Sequence, residues 1–419
     1  MSDYQQEQYV EQPREPQNDQ YYDEEEEAVE NYFESNFDEE VESFEALELE
    51  DDLYRGIVNH GFEVPSKIQK LAILPIMAGL DVIAQAQSGT GKTGTFSIAA
   101  LANVDPEIPH PQIIIVSPVR ELAEQTYGVI KSIGAYMDVE IGLAVGGCSL
   151  DETLAEMRKN PKIICCTPGR LFSLIDRRFL NTDHVATIIV DEADEMLSQG
   201  FREQIWAIFH SLPKEIQVVL VSATMPQEIL ELTQHFMRDP ARILVKKDEL
   251  TLDGIRQFYV RCQSDNWKFQ TFLDLYKRLK IDQAVVFCNR RTEVENLAHM
   301  LDKEGFPVIA THGKVEGDER RRIMRDFREG RARLLVTTDL LSRGIDVQHV
   351  SLVFNYDLPA KKESYIHRIG RSGRFGRKGF AINLTVERDV DKLTELMDHY
   401  DTNIETLPNN IEDIIAGAD

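Results

Sequence analysis

The sequence has little of what marks secreted or membrane proteins. Its five cysteines are scattered and form no C-x-x-C pair, which is typical of reduced thiols and excludes a structural zinc framework. No basic start leads into an apolar core, so a signal peptide is not predicted. No apolar run approaches the ~18–20 residues needed to span a bilayer. We therefore expect a protein of the cytoplasm, with a nuclear location left open, and no membrane partner.

Positive charge is almost missing from the first 43 residues. They contain sixteen acidic residues and one basic residue, Arg14, in a chain whose formal net charge is -26. A segment with few aliphatic residues and much like charge cannot bury enough surface to offset the entropy of ordering. The composition predicts that residues 1–43 form a disordered acidic tail. Docking to a partner and simple solubilisation are both open roles for it.

From residue 44 onward, short runs rich in Val and Ile alternate with helical patterns. The runs are apolar on both faces, which is typical of strands in parallel sheets covered by helices. They fall into two series, DVIAQA, QIIIVSP, KIICCTP, TIIVDEAD and QVVLVSAT, then QAVVFCN, FPVIATHG, ARLLVTTD, SLVFNYD and GFAINLTV. A polar stretch at 245–254 separates the series. The sequence therefore predicts two α/β domains, 44–244 and 255–419, joined by that linker.

The first predicted strand runs into a glycine-rich turn. Ala86 to Thr93 reads A-x-x-x-x-G-K-T, close to the phosphate-loop pattern that usually begins with glycine. Gly89 and Gly91 allow backbone N–H groups to curl around a phosphate, and Lys92 can reach the β- and γ-phosphates. Thr93 can hold Mg²⁺. An ordinary glycine-rich turn is the alternative, and the G-K-T triplet before a helix favours nucleotide binding.

Two acids stand at the end of another apolar run, in IIVDEADEML. Beside a phosphate loop, Asp191 is predicted to hold Mg²⁺ through water, and Glu192 to polarise the attacking water. The alternative is an acidic cap at the start of a helix.

One segment of this acidic chain is strongly basic. HRIGRSGRFGRKG, residues 367–379, holds five cations and four glycines. The glycines argue against a long solvated helix, because each costs about 1 kcal/mol there relative to alanine. The pattern predicts that an anionic group binds at this segment, and a basic localisation patch is the alternative.

At D-E-A-D, residues 191–194, the chain resembles the DEAD-box ATP-dependent RNA helicases. The resemblance extends from Phe44 to the end of the chain. It is strongest to the initiation-factor members of the family, including a nuclear exon-junction relative. The segments that carry it are DVIAQAQSGTGKT, VDEADEMLSQGF, VVLVSATMP, RILVKKDELTLDGIRQFY and TTDLLSRGIDV. The resemblance implies two tandem RecA-like domains and an RNA-dependent ATPase that uses ATP and Mg²⁺.

The resemblance implies roles for residues at the nucleotide. Gln69 would contact the adenine edge, Arg371 and Arg374 would reach the γ-phosphate across the cleft as arginine fingers, and Phe62 would pack near the base, with a simple core role as its alternative. Catalysis is assigned to Lys92, Asp191, Glu192, Arg371 and Arg374. ATP binding is assigned to Phe44, Phe62, Gln69, Ala86, Gln87, Ser88, Gly89, Thr90, Gly91, Lys92, Thr93 and, at the ribose, Asp346. Coupling to RNA is assigned to Ser222, Ala223, Thr224, Asp194 and His367.

The resemblance also implies an RNA path over both domains, with contacts to phosphate and sugar that position a strand without reading its bases. The first domain would contribute Pro118, Arg120, Gly146, Gly147, Thr167, Pro168, Gly169 and Arg170. The second domain would contribute Asn289, Arg291, Gly313, Arg320, Thr337 and Asp339. The chain departs from the family pattern at Val64, Val119, Gly317 and Ser342, where the family usually has Lys, Thr, Gln and Ala.

These assignments predict a monomeric ATP-dependent RNA helicase acting on single-stranded or short duplex RNA, in translation initiation and with the scaffold proteins of that process. An ATP-gated RNA clamp in a nuclear mRNA-processing complex is the alternative, since it shares every motif. A DNA motor or chromatin remodeller is disfavoured by Gln69 and by the lack of large accessory domains.

Overall fold

The computed structural model describes residues 36, 37, 39–87, 89–197, 201–244, 255–279, 283–339, 350–372 and 379–416. The predicted linker 245–254 and three predicted site residues, Ser88, Asp346 and Arg374, lie outside this part of the chain. Within it, no helix combines the length and apolar character that a membrane crossing requires.

The first domain is built on a parallel sheet of seven strands in the order β3-β4-β2-β5-β6-β1-β7. The strands are β1 Val82–Gln85, β2 Ile113–Val116, β3 Ile141–Ala144, β4 Ile163–Cys166, β5 Thr187–Asp191, β6 Gln217–Ser222 and β7 Ala241–Leu244. The helices that cover it are Asp51–Asn59, Lys67–Met77, Lys92–Ala102, Arg120–Ile133, Leu150–Met157, Pro168–Asp176, Ala193–Met196, Arg202–His210 and Gln227–Thr233.

The second domain repeats this plan with a parallel sheet in the order β10-β11-β9-β12-β13-β8-β14. Its strands are β8 Ile255–Arg261, β9 Gln283–Phe287, β10 Val308–Thr311, β11 Leu334–Thr337, β12 Val350–Asn355, β13 Gly379–Thr385 and β14 Glu405–Thr406. Its helices are Asp265–Arg278, Arg291–Lys303, Gly317–Arg328, Lys362–Ile369, Val390–Tyr400 and Ile411–Ala416. Numbered from the first strand of each domain, the two strand orders are identical.

The predicted α/β class with two parallel sheets is confirmed. All ten predicted runs form strands, and the central strands, such as β2, are buried on both faces, whereas the edge strand β10 is only partly buried. The sequence prediction missed four strands. β3 has four residues including a glycine, β14 has two, β7 alternates buried and partly exposed positions, and β8 is partly exposed at both ends.

The acidic tail begins to pack earlier than predicted, so its boundary at residue 43 is corrected. The Asn36 side chain donates to the carbonyl of Pro240 at 3.1 Å and accepts from the backbone N–H of Arg242 at 2.7 Å. Val41 is buried and donates its backbone N–H to the carbonyl of Lys70 at 3.0 Å. A buried valine and a bidentate asparagine anchor residues 36–43 to the first domain despite the charge around them.

Candidate functional site

The phosphate loop lies between β1 and the helix Lys92–Ala102. Gly89 and Gly91 have φ values of 87° and 99°, a conformation that glycine adopts without the strain of a Cβ. Lys92 is buried, and its Nζ donates to the carbonyl of Ala86 at 2.6 Å. Burial lowers the pKa of Lys92, while the charges of nearby acids oppose that shift. The loop thus presents a buried cation at a turn where backbone N–H groups gather.

The other predicted residues of this loop lie around the lysine. Thr90 Oγ1 donates to the carbonyl of Gln87 at 2.7 Å, which closes the turn. Thr93 is half-buried on the first turn of the following helix.

Two buried carboxylates follow at the carboxyl end of β5. Asp191 ends the strand, and its Oδ1 accepts the backbone N–H of Glu192 at 3.0 Å. Glu192 has a φ of 52°, a left-handed conformation that is uncommon outside glycine and clusters at functional sites. Burial raises the pKa of Asp191 to about 7, the charge of Glu192 adds to the rise, and Lys92 opposes it. The carboxyl end of a parallel sheet is where ligands bind in such folds.

The second domain reaches this cluster through His367. Its Nε2 lies 2.8 Å from Oδ2 of Asp194, which also accepts from Oγ1 of Thr224 at 2.6 Å. The backbone N–H of Asp194 contacts Oγ of Ser222 at 3.4 Å. His367 Nδ1 lies 4.0 Å from Oε2 of Glu192, and both atoms are buried with no hydrogen-bond partner among the described residues. Asp194 therefore joins β6, the D-E-A-D segment and the second domain.

Arg371 also approaches from the second domain. It is buried, and its Nε donates to the carbonyl of His367 at 3.0 Å. Its positive charge contributes to the lowered pKa of Lys92, so the two cations lie near one another across the domain boundary. The structure therefore brings together Lys92, Asp191, Glu192 and Arg371 of the predicted catalytic set.

The predicted adenine-binding residues lie behind the phosphate loop. Gln69 is buried, its Oε1 accepts the backbone N–H of Ser66 at 2.8 Å, and its Nε2 lies 3.4 Å from the carbonyl of Gly91. Phe62 is partly exposed beside it, while Phe44 is 2% exposed and stacks on Phe62 with ring centroids 6.3 Å apart. Phe44 is thus a core residue that supports Phe62, and its role in ATP binding stays a prediction.

Three loops of the first domain form its predicted RNA face. Thr167 Oγ1 accepts the backbone N–H of Gly146 at 3.1 Å, which ties the two loops together. Pro168 and Gly169 begin the helix Pro168–Asp176, whose N-terminus favours a phosphate. Arg170 on its first turn donates to the carbonyl of Cys148.

The third of these loops carries Arg120, which follows the buried Pro118 at the start of its helix. Arg120 Nε donates to Oε1 of Glu124 at 2.7 Å. Its Nη1 lies close to Gly147, whose φ is 84°. The guanidinium is therefore held beside the glycine pair that the resemblance places on the RNA path.

In the second domain, a fully buried arginine holds the predicted RNA-facing loops. Arg368 pairs with both carboxylate oxygens of Asp339, donates to Oδ1 of Asn289 at 2.8 Å and to the carbonyl of Asp357 at 2.6 Å. Asn289 Nδ2 in turn donates to the carbonyl of Leu358 at 2.9 Å. Sequence reasoning placed Arg368 in the basic segment but assigned it no role. The one sequence feature that could have indicated a role for Arg368 is its position next to His367, which was assigned to coupling.

A second buried cation lies nearby. Lys268, on the helix Asp265–Arg278, is 2% exposed and its Nζ lies 3.1 Å from Oδ1 of Asp357 and 3.4 Å from Oδ1 of Asp265. Asp357 follows β12, whose place in its sheet matches that of β5 in the first domain. Sequence reasoning did not single out this pair.

Thr337, which the resemblance places on the RNA path, ends β11. Its side chain is fully buried and donates to the carbonyl of Thr338 at 3.2 Å. Thr338 is partly exposed at the end of β11. Thr338 is therefore the more exposed of the two threonines, and the RNA contact of Thr337 stays a prediction.

Two predicted arginines of the second domain have different surroundings. Arg320 crosses to the first domain, where its Nη1 lies 3.0 Å from Oε1 of Glu121, and its Nη2 donates to the carbonyls of Gly313 and Val315 at 3.2 and 2.9 Å. It therefore links the domains and shapes its own loop. Arg291 is partly exposed, and its Nε lies 3.7 Å from Oε1 of Glu295 on the same helix.

Comparison with known proteins gives matches over both domains. The family model described as DEAD/DEAH box helicase matches residues 66–232, and the helicase conserved C-terminal domain matches 267–376. The chain is 51% identical to "Eukaryotic initiation factor 4A" of Caenorhabditis elegans over 92% of this chain and 96% of the relative. It is 53% identical to "ATP-dependent RNA helicase eIF4A" of Chaetomium globosum over 92% and 97%.

Solved structures resemble the whole two-domain arrangement. Dbp5 of S. cerevisiae bound to RNA and ADP BeF3 matches with a TM-score of 0.85 and 34% identity, over 90% of this chain and all of that one. Mss116p bound to ssRNA and AMP-PNP matches with a TM-score of 0.81 and 25% identity, over 91% of this chain and 83% of the other.

Proposed function

Because the chain belongs to the DEAD/DEAH box helicase family, we propose that it hydrolyses ATP between its two tandem RecA-like domains and uses the cycle to unwind short RNA duplexes locally. It is an ATP-dependent RNA helicase, whose ATPase activity depends on RNA. One observation carries the proposal: Lys92, Asp191 and Glu192 of the first domain share a buried cluster with residues of the second domain. His367 and Arg371 are those residues.

In the first domain, the glycine turn and Lys92 bind the phosphates, and Gln69 and Phe62 bind the base. Mg²⁺ fits beside Thr93 and Asp191, because hydroxyl and carboxylate oxygens suit a hard cation and Asp191 is a buried carboxylate next to the buried Glu192. A bound Mg²⁺ would neutralise phosphate charge. Glu192 orients and polarises the attacking water.

The second domain supplies the missing positive charge. Arg371, and Arg374 beyond the described residues, stabilise the charge that develops on the γ-phosphate, since a planar guanidinium pairs with two oxygens and stays protonated. His367 holds Asp194 and so registers whether the domains are together. ATP and RNA each bind across the cleft, so each favours the closed arrangement and thereby the other ligand.

We place this cycle in translation initiation in the cytoplasm, with scaffold proteins of that process as partners. The support is the sequence identity of 51% and 53% to proteins named initiation factor 4A, over 92% of this chain. Contacts to RNA phosphate and sugar leave base sequence unread, so the substrate is defined by its ribose and by single-stranded shape.

ATP hydrolysis measured with RNA, with DNA and without nucleic acid tests the proposal. We expect stimulation by RNA alone. Glu192→Gln and Arg371→Ala should each lower the stimulated rate by about 10²–10³-fold. Glu203→Gln, an exposed acid on a neighbouring helix, is the control and should leave it unchanged. Normal turnover in both site variants would refute the mechanism. Stable ATP-dependent RNA binding without strand release would indicate a clamp.

A further inference from the structure

One carboxylate on the RNA face contacts both domains. Glu124 Oε1 accepts from Arg120 Nε on its own helix at 2.7 Å, and from Arg321 Nη1 of the second domain at 3.2 Å. Nη2 of Arg321 pairs with Asp318 on its own helix. Arg120, Glu124, Arg321 and Asp318 therefore form a row of alternating charge that crosses the domain boundary.

The row passes close to a glycine at position 317. A Cβ at this residue would lie 2.7 Å from Nη1 of Arg120, so a larger residue would displace the end of this arginine side chain. On the other side, a Cβ at Gly147 would lie 3.2 Å from the same nitrogen. The guanidinium of Arg120 thus occupies a slot between one glycine of each domain. The slot exists only while the domains are together.

Arg120 is a predicted phosphate contact, and Glu124 competes with a phosphate for it. Charge-assisted hydrogen bonds of this length are the strong ones, so a carboxylate that serves Arg120 alone lowers its availability to RNA. With the domains together, Arg120 keeps its 2.7 Å bond to Glu124 while Arg321 lies 3.2 Å from the same oxygen, and two cations that share one carboxylate oxygen each draw on its charge. Separation of the domains removes Arg321 and leaves the whole carboxylate to Arg120.

We propose that Glu124 and Arg321 are a positioning pair that makes the RNA grip of Arg120 depend on domain closure. The approach of Arg321 draws on Glu124 and frees Arg120 to bind a phosphate oxygen within the slot beside Gly317. This inference rests on the proposed function, because it assumes that the closed arrangement is the one that binds ATP and RNA.

The neighbouring pair of Arg320 and Glu121 is unsuitable as a probe. Arg320 also holds the carbonyls of Gly313 and Val315, so its removal would disturb the loop itself. Arg322 offers a matched control. It is exposed on the same helix and pairs with Glu319 of that helix at 2.7 Å, so its replacement removes the same charge without touching the first domain.

The test measures the affinity of the full chain for a labelled single-stranded RNA, without nucleotide and with ADP–BeF3. The dissociation constant without nucleotide, divided by the dissociation constant with ADP–BeF3, measures how strongly nucleotide and RNA binding are coupled. Arg321→Gln should lower this ratio about three- to fivefold, the range of a partly exposed ion pair, and leave nucleotide-free affinity unchanged. Glu124→Gln should raise nucleotide-free affinity and lower the ratio similarly. The double variant should match Glu124→Gln alone, and Arg322→Gln should keep the wild-type ratio.

Gly317→Ala tests the slot with every charge intact, and it should lower the ratio as well. Equal weakening by Arg321→Gln with and without nucleotide would overturn the pair, because that result describes a general contribution of positive charge. An additive double variant would overturn it too. Wild-type ATP hydrolysis is measured in the same samples. Its failure to respond to RNA would refute the proposed function, whereas normal stimulation with an unchanged ratio in Arg321→Gln refutes only the pair.

Discussion

The two domains share one strand order and place a lysine and an acid at matching points, yet they use them differently. Lys92 lies on the helix after the first strand of its sheet and Asp191 ends the fifth. Lys268 lies on the helix after the first strand of the second sheet, and Asp357 follows its fifth strand. In the second domain lysine and acid are paired at 3.1 Å. In the first, Lys92 donates to the carbonyl of Ala86.

The loop before each helix accounts for the difference. Gly89 and Gly91 have positive φ, the backbone conformation that phosphate-binding turns use. Ser264 precedes the corresponding helix of the second domain, with no glycine near it. The lysine and acid therefore form a structural ion pair in the second domain, whereas in the first domain the lysine binds a backbone carbonyl of the loop and the two residues belong to the proposed catalytic site.

Replacing the lysine of the first domain should have the largest effect. Lys92→Ala removes the cation that faces the transferred phosphate, and we expect RNA-stimulated hydrolysis to fall about 10³-fold. Phosphate release at saturating RNA measures it. Lys131→Ala, on the surface of the same domain, is the control. A loss of less than tenfold would show that the two lysines differ less than their surroundings suggest.

Replacing the lysine of the second domain should affect stability instead. Lys268→Met leaves the carboxylate of Asp357 without its buried partner, which we expect to cost about 3 kcal/mol in free energy of unfolding. Denaturant titration measures the loss, and ATP affinity should stay unchanged. Lys277→Met, at an exposed pair with Glu304 at 4.0 Å, should cost little. If Lys268→Met instead lowered ATP affinity strongly and left stability unchanged, the lysine of the second domain would have a functional role and not a structural one.

The acid of the first domain offers the smallest effect and a pH signature. Burial raises the pKa of Asp191 from 3.8 to about 7, so the folded state binds more protons between these values and stability falls as pH rises through that window. Asp191→Asn should therefore raise the unfolding temperature of the nucleotide-free protein by about 2–4 °C at pH 8. The gain should shrink toward pH 5. Calorimetry in EDTA measures it.

Asp183→Asn, at an exposed carboxylate, is the matched control and should show no such pH dependence. A gain of equal size at pH 5 and pH 8 in Asp191→Asn would contradict the assignment of the raised pKa to this carboxyl.

Much of the fold could be predicted because central parallel strands are apolar on both faces. β2 and β9 are buried along their whole length, and their Val and Ile content identifies them. β8, which lies next to the two-residue edge strand β14, is partly exposed and carries Arg256 and Arg261, so composition does not identify it. The predicted end of the acidic tail was placed too late for a related reason. The composition of residues 1–43 is dominated by acids, and it does not show that the single valine at 41 is buried against the first domain.

Within the site, local motifs were predictable and long-range partners were not. The residue types and spacing of the G-K-T and D-E-A-D segments indicate phosphate and metal binding. Lys268 finds Asp357 across 89 residues, and Arg368 finds Asn289 across 79, so no local pattern predicts either contact. Which of Thr337 and Thr338 is buried depends on the pleat at the end of β11. Two identical residues in a row do not reveal that orientation in the sequence.

The helix Lys362–Ile369 carries two consecutive side chains with opposite destinations. His367 touches Asp194 beside the nucleotide cleft, and Arg368 holds Asn289 and Asp339 among the strand-binding loops. Because the two residues are neighbours on one short helix, a rotation or shift of this helix changes both contacts at once. Eight residues therefore act as a single lever arm between the two faces of the cleft.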